Sequence, residues 1–257
     1  MKNIAIEFKN VSKSYSISRH KYRRITDDIS LAFKKVLTKE QRSLVDEKFY
    51  ALKNVSFQVD GGMNLGIIGK NGAGKSTILK LISKITYPDS GNINVNGRIG
   101  AFIELGAGLH PELSGRENIY LYGAILGMKK REVDEKFRDI VKFSELEKFL
   151  DTPIKRYSSG MYARLGFSVV SFMNPDILLI DEVLAVGDKN FQEKCLIKMR
   201  EFAMGEKSIV FVSHNLEAIK AICDRVILVD HGQLKADGKP KAVIENYLAK
   251  YANKRIE

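Results

Sequence analysis

The sequence predicts an α/β fold: a core of buried parallel strands with an antiparallel β subdomain and an inserted helical subdomain. The apolar run Asn64–Ile68 is followed by a glycine-rich loop and then by helical periodicity, and a second apolar run, Ile177–Ile180, ends in two carboxylates. Between these runs, residues 104–173 carry mostly helical spacing. Short alternating stretches before the first run are typical of strands. We therefore expect a single domain, residues 1–257, whose core is interrupted by helices.

Composition limits the partner and the compartment. The formal net charge of +11 favours an acidic partner such as nucleic acid, anionic lipid or a phosphorylated substrate. Cys195 and Cys223 lie in segments with the spacing of amphipathic helices and form no CxxC pair, so we expect reduced thiols. No secretory signal pattern opens the chain, and no apolar run approaches the roughly 20 residues that span a bilayer. The sequence thus predicts a cytoplasmic protein, with any membrane role passing through a partner.

The first strand, expected from Ile4 to Tyr15, ends in an aromatic residue. An aromatic ring at a strand end packs on the core or its rim, or it supplies an apolar surface on which a purine stacks. The sequence alone leaves both interpretations of Tyr15 open.

Residues 16–49 form a basic amphipathic insertion. The basic run Arg19–Arg24 precedes apolar residues at helical spacing, with lysines on the other side. The segment either packs as a solvated helix on its own domain or meets membrane phosphates or the cytoplasmic helices of a partner. An arginine-rich arm for nucleic acid is a third alternative, but aromatic stacking platforms around it are lacking.

The glycine-rich loop has the spacing glycine, four residues, Gly-Lys-Ser, between a strand and a helix. Its glycines let backbone N–H groups turn towards phosphates, and the helix N-terminus adds partial positive charge. We expect Lys75 to reach the outer phosphates and the Ser76 hydroxyl to bind Mg²⁺. The predicted nucleotide-binding residues of this phosphate loop are Gly69, Asn71, Gly72, Ala73, Gly74, Lys75, Ser76 and Thr77.

Two later strands are expected to end beside the phosphate loop. Asp181 can hold Mg²⁺ through water, and Glu182 can orient or deprotonate an attacking water. The alternative is that this acidic pair merely caps a helix. His214 ends the next apolar run; a lone histidine is often structural, but its position at the same edge of the sheet favours a catalytic role.

Taken in order, several motifs resemble those of ABC transporter ATPase subunits, which have a P-loop NTPase core of the RecA-like type. They are the phosphate loop, Tyr157–Met161, Ile180–Glu182, Ala185–Asp188 and Ser213–His214. The resemblance covers almost the whole chain and implies ATP and Mg²⁺ as cofactors. It also implies a homodimer in the ATP-bound state, closed head to tail around two nucleotides. The residues whose roles it implies are Ser158, Ser159 and Gly160 at the partner's γ-phosphate, Asp188 at the dimer seam, Tyr15 on adenine and His214 on the γ-phosphate.

Within that family, the chain is most similar to the ATPases that export O-antigen, capsular and teichoic-acid polysaccharides. The strings that carry the similarity are Glu104–Pro111, Ser114–Ile119, Tyr157–Met161 and Asp181–Asp188. They imply export of a lipid-linked glycan through a separate transmembrane permease, with this subunit peripheral on the cytoplasmic side of the bacterial inner membrane and with no nucleic-acid partner. Two positions depart from the general ABC pattern. Glu104 replaces the usual Mg²⁺-binding Gln, and Ser159 replaces a common Gly.

Three alternatives keep part of this interpretation. The chain could serve an ABC exporter of another lipid or hydrophobic substrate, or a soluble ABC-type ATPase acting on ribosomes or DNA. Ribosome-acting members have two cassettes in one chain and DNA-acting members a long coiled coil, and neither pattern occurs here. A scaffold that binds but does not hydrolyse ATP is disfavoured by intact Lys75, Glu182 and His214.

Overall fold

The computed structural model describes residues 3–17, 47–102, 108–181 and 188–252. Its core is a six-stranded sheet in the order β5-β6-β7-β3-β8-β9, in which the first five strands are parallel and β9 pairs antiparallel at one edge. The strands are β3 (Asn64–Ile68), β5 (Ile99–Phe102), β6 (Ile177–Ile180), β7 (Ser208–Val212), β8 (Arg225–Asp230) and β9 (Gln233–Gly238). The predicted parallel core is confirmed, and the runs of four to five fully buried residues in β3, β6 and β7 explain why these strands are continuously apolar.

A second, three-stranded antiparallel sheet has the order β2-β1-β4. Its strands are β1 (Ile4–Ile17), β2 (Glu47–Asp60) and β4 (Ser90–Val95). The ends of the predicted basic insertion therefore belong to β1 and β2. Its main part, residues 18–46, lies outside the described residues.

Helices cover both faces of the core sheet. They are α1 (Lys75–Ile82), α2 (Gly115–Ile125), α3 (Lys130–Ser144), α4 (Ser159–Ser171), α5 (Lys189–Ala203), α6 (Leu216–Ile222) and α7 (Pro240–Ala252). In the chain, α2, α3 and α4 lie between β5 and β6, as the helical spacing of residues 104–173 predicts. The aromatic rings of Phe167 on α4 and Phe102 on β5 lie 4.8 Å apart, so α4 packs directly on the sheet.

Both cysteines are free and buried, and burial raises the pKa of each thiol to about 12. They are packing residues of the core rather than reactive groups. In the described part of the chain, none of the helices has the length and apolar character needed to cross a bilayer.

Candidate nucleotide-binding site

The phosphate loop joins β3 to α1 and packs closely against the backbone of β8 and of the β8–β9 turn. Gly69 has a φ of 153°, and a Cβ there would lie 2.1 Å from the Val229 carbonyl oxygen of β8. The N–H of Gly232 donates to the Ala73 carbonyl at 3.0 Å, and the N–H of Lys53 donates to the Gly232 carbonyl at 2.7 Å. The β8–β9 turn and β2 therefore fix the loop from outside.

Gly69→Ala is expected to lower the melting temperature by roughly 5–15 °C, because both the backbone conformation and the Val229 carbonyl reject a methyl group. Gly72→Ala is the matched comparison in the same loop. Its φ is 76°, but no atom of the described residues lies within 4 Å of the added Cβ, so we expect the melting temperature to fall by only about 2–4 °C. Scanning calorimetry of both variants measures the difference. Equal melting temperatures would contradict the packing described for Gly69.

Lys75 is the first residue of α1 and only 7% exposed. Its ammonium donates to the carbonyl oxygens of Gly69 at 2.8 Å and Lys70 at 2.9 Å. These bonds hold the charge over the loop, where the helix N-terminus and the backbone N–H groups already favour an anion.

An open cleft of about 370 Å³ lies beside this loop. Its walls bring together residues that the sequence places far apart. They are Tyr15, Phe49, Ala51, Asn71, Gly72, Gly74, Lys75, Ser76, Thr77, Asp181 and His214. The polar groups lie with the loop and at the ends of β6 and β7, and the aromatic rings lie at the ends of β1 and β2.

Asp181 and His214 reach this cleft because of strand order. β6 and β7 are parallel neighbours, so the residues that follow them emerge at the same edge of the sheet. The N–H of Asp181 donates to the Phe102 carbonyl at 3.3 Å, and the exposed His214 precedes Asn215, which caps α6. Glu104 and Glu182 lie outside the described residues.

Phe49 and Ala51 are cleft residues that the sequence analysis did not single out. Phe49 was assigned to the end of the basic insertion, whereas the structure places it in β2, directly opposite Tyr15. The only sequence signal was the aromatic pair at positions 49 and 50 before an apolar stretch, which is typical of a strand.

The second predicted nucleotide contact, at the start of α4, is not part of this cleft. Ser158 caps the helix by accepting a hydrogen bond from the Met161 N–H at 3.2 Å, and Ser159 is the first helical residue. Among the described residues, the atom closest to an added Cβ at Gly160 is the Ser158 hydroxyl, at 3.8 Å. Packing against this part of the chain therefore does not require glycine here.

Asp188 caps α5 and connects it to α4. Its carboxylate accepts a hydrogen bond from the Phe191 N–H at 3.0 Å and pairs with Arg164. Arg164 also donates to Glu145, at the end of α3, at 2.8 Å. The pKa of Asp188 lies below its usual value, first because of the Phe191 N–H and then because of the Arg164 charge. The end of α3, the helix α4 and the start of α5 are thus joined through Arg164.

A parallel sheet with a Gly-Lys-Ser phosphate loop at its carboxyl edge, an acidic strand end and a histidine beside it defines the class of P-loop nucleotide hydrolases. Residues 52–185 match the ABC transporter family model. The chain belongs to the ATP-binding subunits of ABC transporters, in the group of polysaccharide exporters.

Curated relatives match along most of the chain. The O-antigen export system ATP-binding protein RfbB of Klebsiella pneumoniae is 44% identical over 245 residues, which cover 94% of this chain and 96% of that protein. The teichoic acids export ATP-binding protein TagH of Enterococcus faecalis is 44% identical over 248 residues, or 96% of this chain and 53% of that protein.

Solved structures share the fold at lower identity. An ATP-binding subunit of an ABC transporter superimposes with a TM-score of 0.72 at 23% identity, covering 95% of this chain and 93% of that one. The dimeric cassette MJ0796 bound to ADP and phosphate has a TM-score of 0.70 at 22% identity, covering 91% of this chain and 98% of that one.

Proposed function

We propose that this chain hydrolyses ATP to drive a lipid-linked polysaccharide across the cytoplasmic membrane of a bacterium. It acts as a homodimer on the cytoplasmic side, beneath a separate transmembrane permease. The observation that carries the proposal is the cleft that unites Lys75, Ser76, Asp181 and His214. The cargo assignment is supported by the full-length similarity to the O-antigen exporter subunit of Klebsiella pneumoniae.

The phosphates of ATP lie on the loop. Its N–H groups and the Lys75 ammonium bind the phosphate oxygens, and the aromatic end of the cleft receives the base. The donors available for a metal are the Ser76 hydroxyl and the Asp181 carboxylate, which are hard oxygen ligands of the kind Mg²⁺ takes in phosphoryl-transfer sites. When bound, Mg²⁺ neutralises charge on the β- and γ-phosphates. Glu104 adds a further oxygen donor.

Glu182 directly follows Asp181 and takes the proton of the attacking water. His214 donates to the γ-phosphate from the neighbouring strand end, on the same edge of the sheet. Together they orient the water in line with the bond that breaks.

The second half of each site comes from the other subunit. Ser158, Ser159 and Gly160 present the N-terminus of α4 to the γ-phosphate bound by the partner, and Asp188 lies at the seam. Two features support this arrangement. The start of α4 is not among the described residues that line the cleft of its own chain, and the described residues leave open space at Gly160.

Residues 104–118, which follow β5 in the sequence, form the surface that contacts the permease and moves it when the dimer closes. Asn118 is fully buried, and its side chain makes four hydrogen bonds to residues 110–114, within the described part of this segment. They join it to the His110 N–H and to the carbonyls of His110, Leu113 and Ser114, at 2.7–3.1 Å. A segment fixed in this way moves as one body with α2.

Glu182→Gln in the native bacterium tests the function. We expect surface polysaccharide to fall to background and intracellular lipid-linked glycan to accumulate, because ATP binds but is not cleaved. Glu206→Gln is the matched control, since Glu206 is exposed at the opposite edge of the core sheet, in the turn before β7. Normal surface glycan with Glu182→Gln would refute polysaccharide export and direct the search to another lipid cargo.

A further inference from the structure

We propose that the base of the bound nucleotide lies against two neighbouring aromatic rings, those of Tyr15 and Phe49, and that Phe49 is a base-binding residue in its own right. The inference deepens the proposed function, since it rests on ATP occupying the cleft beside the phosphate loop. Only Tyr15 has a role suggested by family resemblance; Phe49 is assigned from the structure.

The pairing of β1 with β2 puts both rings on one face of the sheet. Tyr15 lies directly opposite Phe49 in the antiparallel register, and side chains of directly opposed residues project from the same face. A register shift occurs just before this pair, between Lys13 and Ser14. Such a bulge bends the strand and re-aims the residues beyond it, here towards the phosphate loop. Both residues accordingly line the cleft.

Both rings are left open to solvent although they line a concave wall. Tyr15 is 41% exposed and Phe49 is 49% exposed. A planar base lying against both rings would remove their exposed apolar area, and that of its own near face, from water. Among the described cleft residues, the Ser76 and Thr77 hydroxyls, the Asp181 carboxylate and the Lys75 ammonium lie with the loop, the start of α1 and the end of β6, so the phosphates take that end and the base takes the aromatic end.

Stacking predicts a particular kind of base recognition. Every nucleobase has a π-face, so aromatic platforms bind bases with little regard to the groups on their edges. Loss of the Phe49 ring should therefore weaken the binding of ATP and the binding of GTP by the same factor. It should act on binding and leave the chemical step unchanged, because the ring is at the far end of the cleft from the γ-phosphate.

Tyr50 provides a matched control within the same strand. It is 45% exposed, close to Phe49, but it lies opposite Ser14, on the other face of the sheet. The Ser14 hydroxyl on that face donates to Asp89 at 2.6 Å. Tyr50 is not among the described residues that line the cleft.

The test is isothermal titration of ATP and of GTP into the full chain and its variants, with kcat measured in parallel. Phe49→Ala should raise both dissociation constants by roughly tenfold, the size expected for one stacked ring, with kcat at saturation unchanged. Phe49→Tyr should restore binding and Phe49→Leu should not, because the leucine side chain fills volume without a π-face. Tyr50→Ala should stay within about twofold of the unmodified chain.

Three results would overturn the proposal. They are a dissociation constant within twofold of normal for Phe49→Ala, full recovery with Phe49→Leu, and an effect confined to one of the two nucleotides. A separate variant distinguishes failure of this inference from failure of the proposed function. If Lys75→Ala loses ATP binding while Phe49→Ala keeps it, the nucleotide site stands and the second aromatic wall does not. If both variants bind ATP normally, the site itself is wrong.

Discussion

Lys75→Ala is expected to abolish ATP hydrolysis, with kcat/KM falling by roughly a thousandfold or more, the combined effect of losing a charged contact to the phosphates and its share of transition-state stabilisation. The Lys75 ammonium is held over the loop by two carbonyl oxygens, and the residue is almost fully buried, so its charge occupies a fixed point in the cleft. Lys75→Arg is expected to fail as well. A planar guanidinium cannot occupy the point-like position of an ammonium between two carbonyls.

Steady-state ATPase assays at several ATP concentrations, with melting temperatures for each variant, measure this effect. Lys241→Ala removes the same charge from an exposed position at the start of α7 and should retain full activity. Activity of Lys75→Ala within tenfold of the unmodified chain would show that the charge does not act on the phosphates.

Gly160→Asp is expected to reduce the rate at saturating ATP by at least about a hundredfold, because it places a carboxylate where we propose that the partner's γ-phosphate binds. The same change should leave the fold intact or slightly more stable. The site has open space for a side chain, glycine is a poor helix former, and an acid near the N-terminus of α4 interacts favourably with the helix dipole. Loss of activity without loss of stability is the signature of a contact made outside the chain.

ATPase assays and calorimetry on the same preparations decide the matter. Lys241→Asp introduces an acid at the second residue of α7, the position in that helix that corresponds to Gly160 in α4, and should leave the rate unchanged. A normal rate for Gly160→Asp would mean that the start of α4 does not meet a nucleotide. A large drop in its melting temperature would mean that the loss of activity came from misfolding.

The phosphate loop could be predicted from the sequence because its pattern is local. The spacing from Gly69 to Lys75 and Ser76 is set by a short loop between a strand and a helix, and such spacing is visible in any single chain. The parallel core could be predicted for a related reason, because strands buried on both faces, such as β3 and β6, are apolar throughout. The position of Asp181 and His214 beside the loop could be predicted as well, because neighbouring parallel strands end at the same edge of a sheet.

The position of Phe49 beside Tyr15 depends on pairing between two strands that are far apart in the sequence, and no local sequence pattern predicts that pairing. The sequence predicts that Phe49 is the last residue of the basic insertion, whereas it lies in β2. The register that opposes it to Tyr15, and the bulge that turns both towards the loop, are decided by contacts between β1 and β2. Likewise, the ion pairs that join Asp188 to Arg164 and Arg164 to Glu145 connect three helices whose approach no spacing rule predicts.

By itself, the sequence determined the α/β core and the Gly-Lys-Ser loop that predicts nucleotide binding, because those features arise from local spacing and apolar periodicity. Only the tertiary structure decided which other side chains share the cleft. It also decided that Gly69 is packed against the Val229 carbonyl whereas Gly160 leaves space beside α4. The physical reason is that the fit around a glycine and the partner across a strand are set by chain segments far away in sequence, which meet only when the whole core forms.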